Sequence, residues 1–217
     1  MSLTWIFDLD NTLHNASHGI FPRINLLMTE YIMRHLGMSE AAALALRTSY
    51  YNRYGATLRG MQRHHDVDPD HFLHETHQPE QLLPLLKWDR QVGDVLNQLP
   101  GKKIMLSNGP QAYVEQIVRR MAIVHHFVAL YGVERVAYLP KPNPRPFLTV
   151  CAREGVLPSA CIMVEDSLDN LRTAKALGMR TVWLSSEVRR PRFVDVRIRS
   201  IRELPRIKWG QAHPGTD

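Results

Sequence analysis

Cysteine is nearly absent from this chain: two in 217 residues, Cys151 and Cys161, both in apolar surroundings and without metal-site spacing. That excludes a disulfide-stapled scaffold and a zinc-finger framework, and both are read as reduced core residues. No uninterrupted apolar run approaches the roughly 20 residues that span a bilayer. The start of the chain shows no basic segment, long apolar stretch and small-residue cleavage site, so no secretion signal is read and a cytoplasmic location is the expectation. Internal repeats and low-complexity tracts are also missing. Acids are scarce toward the C-terminus, where Arg189, Arg190, Arg192, Arg197, Arg199 and Arg202 contribute to a net charge of +6. No zinc finger, helix-turn-helix or RNP-like aromatic pattern accompanies them, so no specific nucleic-acid binding is expected. The basic edge is read as solvated, though it raises the local concentration of anionic substrates. With 44% hydrophobic residues, the chain can bury one substantial core and a small second one.

What is present begins with Phe7-Asp8-Leu9-Asp10-Asn11-Thr12-Leu13, directly after the apolar Trp5-Ile6. In an extended segment residues i and i+2 point the same way, so Asp8 and Asp10 are expected to leave a strand with both carboxylates aimed at one point. Such a pair is reasonable if a divalent cation sits between the two, or if one carboxyl is protonated to act as an acid.

Strands alternate with helices along the chain, the pattern of a parallel α/β sheet. Strands are predicted over Thr4–Leu9, Lys103–Leu106, Phe127–Tyr131, Cys161–Val164, Thr181–Leu184 and Val194–Ile198, and helices over Gln111–Met121, Arg145–Glu154 and Leu168–Leu177. About ninety residues separate the first two strands, far beyond an ordinary crossover. The insertion, His14–Trp88, carries helical periodicity. One helix runs from about Ile24 to Leu36 and stops at Gly37, Ser39 opens another, and shorter ones over Leu58–His65 and Asp70–His77 are separated by Pro69 and Pro79. It reads as a helical cap over the sheet's C-terminal edge, where open parallel sheets place their sites. Residues 1–13 and 89–208 then form the core domain, 14–88 the cap, and 209–217 a frayed tail.

Three further features follow later strands. Ser107-Asn108-Gly109 precedes a helix opened by Pro110, so a hydroxyl and free backbone amides can meet a phosphate oxygen. Lys141 lies among Pro140, Pro142 and Pro144 on a stiff segment that suggests a positioned charge. Glu165 and Asp166 leave a strand beside the proposed cation and are read as completing its oxygen coordination, whereas Asp169 and Asn170 can cap the following helix.

Taken together, the four motifs in this order resemble the haloacid dehalogenase superfamily of phosphohydrolases over roughly residues 4–204. The resemblance implies a three-layer Rossmann-like parallel sheet with an inserted helical cap. It also implies an Mg²⁺ cofactor, Asp8 as nucleophile, Asp10 as general acid/base, and Ser107, Asn108 and Lys141 as phosphate ligands. The implied Mg²⁺ ligands are Asp8, Asp166 with Glu165 supporting, and Asp10 through its backbone carbonyl. Asn170 stands where many relatives have a second aspartate, which shifts the metal onto Asp166 and Glu165. Relatives that displace halide generally lack the carboxylate at Asp10, so phosphate esters are the implied substrates.

Tyr50-Tyr51-Asn52-Arg53-Tyr54-Gly55-Ala56-Thr57-Leu58-Arg59-Gly60 is similar to the cap segment of pyrimidine 5'-nucleotidases. That similarity implies a nucleoside monophosphate, UMP or CMP, with Tyr54 stacking on a base and Arg53 or Arg59 meeting its carbonyls or the phosphate. Packing of one helix on the next explains the same tyrosines. Sugar phosphates and phosphorylated cofactor precursors stay open as substrates. A phosphosugar mutase and a non-catalytic anion-binding protein are the rival functions. His64, His65, His71, His74 and His77 crowd the cap without a completing cysteine or well-spaced acid. They are read as polar surface residues outside the site.

Overall fold

The structure, a computed structural model, describes residues 3–207 and 209. Six strands, β1 (Thr4–Phe7), β2 (Lys102–Leu106), β3 (Ala129–Tyr131), β4 (Cys161–Glu165), β5 (Arg180–Leu184) and β6 (Val196–Ile198), form one parallel sheet in the order β3-β2-β1-β4-β5-β6. Between β1 and β2 run α1 (Ile20–Leu36), α2 (Glu40–Tyr54), α3 (Thr57–His65), α4 (Pro69–Thr76), α5 (Pro79–Leu82) and α6 (Val92–Gln98). Helices α7 (Gln111–Arg120), α8 (Pro144–Arg153) and α9 (Leu168–Ala176) occupy the later crossovers. No helix of the described residues is long and apolar enough to cross a membrane.

Alternation along β1 divides the core between the sheet's two faces. Trp5 and Phe7 pack with Leu96, Val114, Ile117 and Val118 of α6 and α7, whereas Ile6 packs with Phe147, Val150, Leu171 and Ala174 of α8 and α9. Cys151 and Cys161 are free, buried members of the second cluster, as their surroundings predict. A third apolar cluster gathers Tyr31, Ile32, Tyr50, Met61 and Phe72 of the inserted helices around Val133, from the turn after β3. Ile20 and Ile24 at the start of α1 instead join the first sheet cluster, so the insertion is rooted in the core.

Local chemistry corrects several predicted boundaries. β1 stops at Phe7, short of Leu9, because the next carbonyl groups turn inward: Leu9 O accepts from Thr12 N, Leu13 N and His14 N at 3.3, 2.9 and 3.4 Å. Asn11 takes a left-handed φ of 61° within that turn. Pro69 and Pro79 do not separate helices; each occupies the first turn of one, where the missing N–H costs nothing. Helix α6 has no counterpart among the predicted elements. Trp209, assigned to a frayed tail, sets its ring edge against Trp5 at 6.1 Å, while residues 210–217 of that tail lie outside the described residues.

Gly60 shows why α2 and α3 can approach so closely. A Cβ there would stand 2.1 Å from Cγ of Tyr50. Gly60→Ala is therefore expected to destabilise the fold by about 1–3 kcal/mol through overpacking, despite alanine's better helix propensity. Chemical unfolding checks this, and an unchanged or higher stability would contradict the packing described.

Candidate active site

The strands β1, β2 and β4 end side by side, and the acids at the ends of β1 and β4 meet there with a lysine from the segment between β3 and α8. Asp8 still donates its backbone N–H to Val164 O at 3.0 Å, which fixes it between β1 and β4 before the chain turns. Lys141 arrives from the proline-rich loop and is 2% exposed. Its Nζ donates to Asp8 Oδ1 at 2.7 Å, to Glu165 Oε2 at 2.8 Å and to Leu106 O at 2.8 Å. Three acceptors match the three N–H bonds of an ammonium. Burial alone would lower its pKa, but the two carboxylates outweigh burial and raise it, so Lys141 is held charged.

Asn108 explains how the lysine's backbone is placed. Its Oδ1 accepts from Lys141 N at 2.8 Å and its Nδ2 donates to Lys141 O at 3.0 Å. The Asn108 side-chain amide thus braces Lys141. The amides around it are less free than predicted, because Ser107 N bonds Tyr131 O, Gly109 N bonds Ser107 Oγ at 3.0 Å, and Gln111 N bonds Glu134 Oε2. Ser107 Oγ itself lies buried, 3.4 Å from Asp10 Oδ2.

Asp8, Glu165 and Asp166 each offer an oxygen within 4.8 Å of the others, the one group of potential metal ligands among the described residues. Three carboxylates face a single ammonium. Burial, reinforced by Glu165, raises Asp8 to about 7, and burial likewise raises Glu165 to about 7 and lifts Asp166. An all-oxygen donor set with surplus negative charge fits a hard divalent cation such as Mg²⁺. Within the trio Glu165 stands behind the others. Its Oε1 accepts from Asp166 N and Ser167 N, both at 3.2 Å, and its Oε2 accepts from Lys141 and from Asn170 Nδ2 at 2.9 Å. Asn170, expected to cap α9 and standing where many relatives have an aspartate, is thereby a buried donor to Glu165. An aspartate there would add another charge against an already crowded carboxylate.

Asp10 occupies a different environment from Asp8. Its Oδ1 accepts from Tyr113 OH at 2.5 Å and lies 3.1 Å from His14 Nε2. Burial would raise its pKa, but His14, Tyr113 and His77 outweigh burial and hold it below the ordinary carboxyl value. The turn at Leu9–Leu13 carries His14 back to Asp10. His77, read from sequence as a surface residue, stands edge-on to Tyr113 with 5.8 Å between rings, and burial pushes it down to about 4.

The three substrate candidates of the insertion stand on α2 and α3. Arg53 and Arg59 are exposed on α2 and α3, and Tyr54 OH pairs with His64 Nε2 at 2.7 Å while Arg53 lies over its ring. Tyr50 is buried and bonded to His65. No hydrogen bond or ion pair of the described residues joins these three candidate side chains to Asp8, Lys141 or Asp166. A cavity of about 580 Å³ flanks the loop at Asn11–Ser17, lined also by Lys87, Trp88 and Arg199, but none of the clustered acids borders it.

The sequence profile of the haloacid dehalogenase-like hydrolases matches residues 4–178. The chain belongs to this family. This haloacid dehalogenase-like hydrolase is 25% identical to a phosphoglycolate phosphatase of Escherichia coli O157:H7 over 206 aligned positions, covering 82% of this chain and 79% of the relative. It is 32% identical to hexitol phosphatase B of Escherichia coli K12 over 104 positions, 46% of each chain. Among solved structures, a HAD phosphatase from Thermococcus onnurineus superposes with a TM-score of 0.69 at 22% identity, covering 95% of this chain and 97% of that one, a likeness of fold.

The raised carboxyls give a pH-dependent signature. In the cation-free hydrolase, Asp8 and Glu165 bind protons up to about pH 7 when folded but release them near 3.8 and 4.5 when unfolded. The folded state therefore holds more protons across that interval, and stability falls as pH rises through it. A bound cation removes the penalty, so the Mg²⁺-induced rise in Tm is expected to be larger at about pH 8 than at about pH 5. Equal shifts at both pH values would contradict this charge balance.

Proposed function

We propose that this chain is an Mg²⁺-dependent phosphomonoester hydrolase that works through an aspartyl phosphate on Asp8. The observation that carries the reading is Asp8 Oδ1 held at 2.7 Å by buried Lys141, with a second aspartate two residues on in a contrasting environment. Asp8 and Asp166 would hold Mg²⁺, whose charge would offset the repulsion between the carboxylate nucleophile and an anionic phosphate. Asp8 attacks phosphorus as the ester P–O bond breaks, and Lys141 orients the nucleophile while taking up negative charge. Ser107 Oγ orients a nonbridging oxygen.

Asp10 gives its proton to the departing alkoxide, then takes one from the water that hydrolyses the acyl phosphate, so phosphate and alcohol leave and both aspartates are restored. Held ionised in the resting site, Asp10 gains its first proton as the phosphate's added negative charge raises its pKa. Glu165, Asn108 and Asn170 support Lys141 rather than meet substrate. Residues 14–88 act as the cap over this edge, with residues 89–208 and the first strand as the core domain, in a cytoplasmic protein.

For the substrate we favour a pyrimidine nucleoside 5'-monophosphate. The half-exposed Tyr54 ring, with exposed Arg53 and Arg59 nearby, supports that choice. The second reading is another small phosphate ester, a phosphorylated hydroxy acid or sugar alcohol, favoured by what the two similar phosphatases are named for.

Phosphate release from a panel of nucleoside monophosphates, 2-phosphoglycolate, hexitol phosphates and an aryl phosphate tests both. Release is expected to require Mg²⁺, to be fastest on UMP or CMP, and to fall about a thousand-fold or more in Asp8→Asn. Fastest turnover of another ester would replace the substrate assignment, and full activity in Asp8→Asn would overturn the mechanism.

A further inference from the structure

We infer that Tyr113 and His14 are positioning residues that fix which oxygen of Asp10 meets the leaving group; the inference rests on the hydrolytic reading above and deepens it. A carboxylate on an aspartate rotates about a broad, two-fold torsion, so its two oxygens are interchangeable unless something distinguishes them. Here both donors fall on the same oxygen. Tyr113 OH donates to Oδ1 at 2.5 Å, and His14 Nε2 lies 3.1 Å from that same atom. Oδ2 is left with one long contact, Ser107 Oγ at 3.4 Å, and is the oxygen free to hold the transferable proton.

The surroundings hold this arrangement from several directions. Tyr113 and His14 are 3% and 4% exposed, and their own polar atoms lie 3.4 Å apart. Gly109 leaves the space in which the Tyr113 ring sits, since a Cβ there would stand 2.8 Å from Cδ1 of the ring. His77, at the end of α4, closes on the ring from the insertion. A phenylalanine would fill the same volume without the hydroxyl, and a buried hydroxyl needs a partner, which here is Asp10. His14 is brought back over Asp10 by the turn that ends β1, through a bridge between the two backbones.

The consequence concerns the first chemical step. As Asp8 Oδ attacks phosphorus and the ester bond breaks, the proton on Asp10 Oδ2 passes to the leaving oxygen, and Asp10 is left as carboxylate. An alkyl leaving group needs that proton, whereas an activated aryl leaving group departs as a stable anion without it. Loss of Tyr113 or His14 therefore penalises alkyl esters selectively. A purely structural role would lower both alike.

The test is kcat/KM, which reports events up to phosphoryl transfer, for Tyr113→Phe and His14→Gln on an alkyl phosphate turned over by the wild type and on 2,4-dinitrophenyl phosphate. Each variant is expected to lose at least about ten-fold more on the alkyl ester than on the aryl ester. In an Asp10→Asn background, Tyr113→Phe is expected to change the ratio no further. Equal losses on both esters, an unchanged ratio in both variants, or a full further loss in the Asp10→Asn background would overturn the inference while leaving the hydrolase reading intact. If the wild type released phosphate from neither ester, the hydrolase reading would fall and this inference with it. Tyr113→Phe keeps the ring, and His14→Gln reports independently should the first variant unfold.

Discussion

One buried ammonium organises this molecule. Lys141 Nζ has water almost wholly replaced by Asp8, Glu165 and the Leu106 carbonyl. Burying such charges costs several kcal/mol each unless geometry and hydrogen bonds compensate. That requirement reaches into three loops and the end of one strand. The loop after β1 must present Asp8, the one after β2 must supply Asn108 to brace the lysine's backbone, the proline-rich loop must carry the lysine, and β4 must end in Glu165. Glu165 in turn is held by the Asp166 and Ser167 amides and by Asn170. Removing the ammonium would leave two carboxylates facing each other in a dry site.

The same constraint separates two aspartates that sequence presents as a pair. Asp8 shares its surroundings with Glu165 and Asp166, so burial and like charge make its ionisation costly until a cation arrives. Asp10 looks toward Tyr113 and His14, whose hydrogen bonds favour its charged form. Two carboxyls whose environments push them in opposite directions are suited to different tasks, one as nucleophile and one as proton carrier. The haloacid dehalogenase-like fold supplies the ledge on which both stand, and their neighbours divide the work between them.

Much of this was legible from residues alone. Apolar runs located the strands, most clearly β1 and β4, which are buried along their whole length and therefore continuously hydrophobic apart from Thr4 and Glu165. Lys141 could be singled out because three prolines near one charge restrict its loop. Other features depend on long-range pairing that spacing does not encode. β1 ends at Phe7 because the Leu9 carbonyl collects three amides, and only the folded turn reveals it. That the Asn108 side chain braces Lys141 was not legible, since its partner is 33 residues away. Tyr113 lay within a predicted helix without being singled out, and His77 read as surface, since neither sequence neighbourhood hints that Asp10 lies beside them. The signal that could have found Tyr113 is Gly109, four residues earlier, where a ring needs room.

The central claim is that Asp8 carries the phosphoryl group. Rapid acid quench of the wild-type enzyme during turnover with Mg²⁺, followed by peptide mapping, tests it most directly. The account predicts a phosphate adduct on the peptide from the N-terminal strand, localised to Asp8. An adduct on any other residue, or steady turnover with no phosphoenzyme under quench conditions that preserve acyl phosphates, would contradict it.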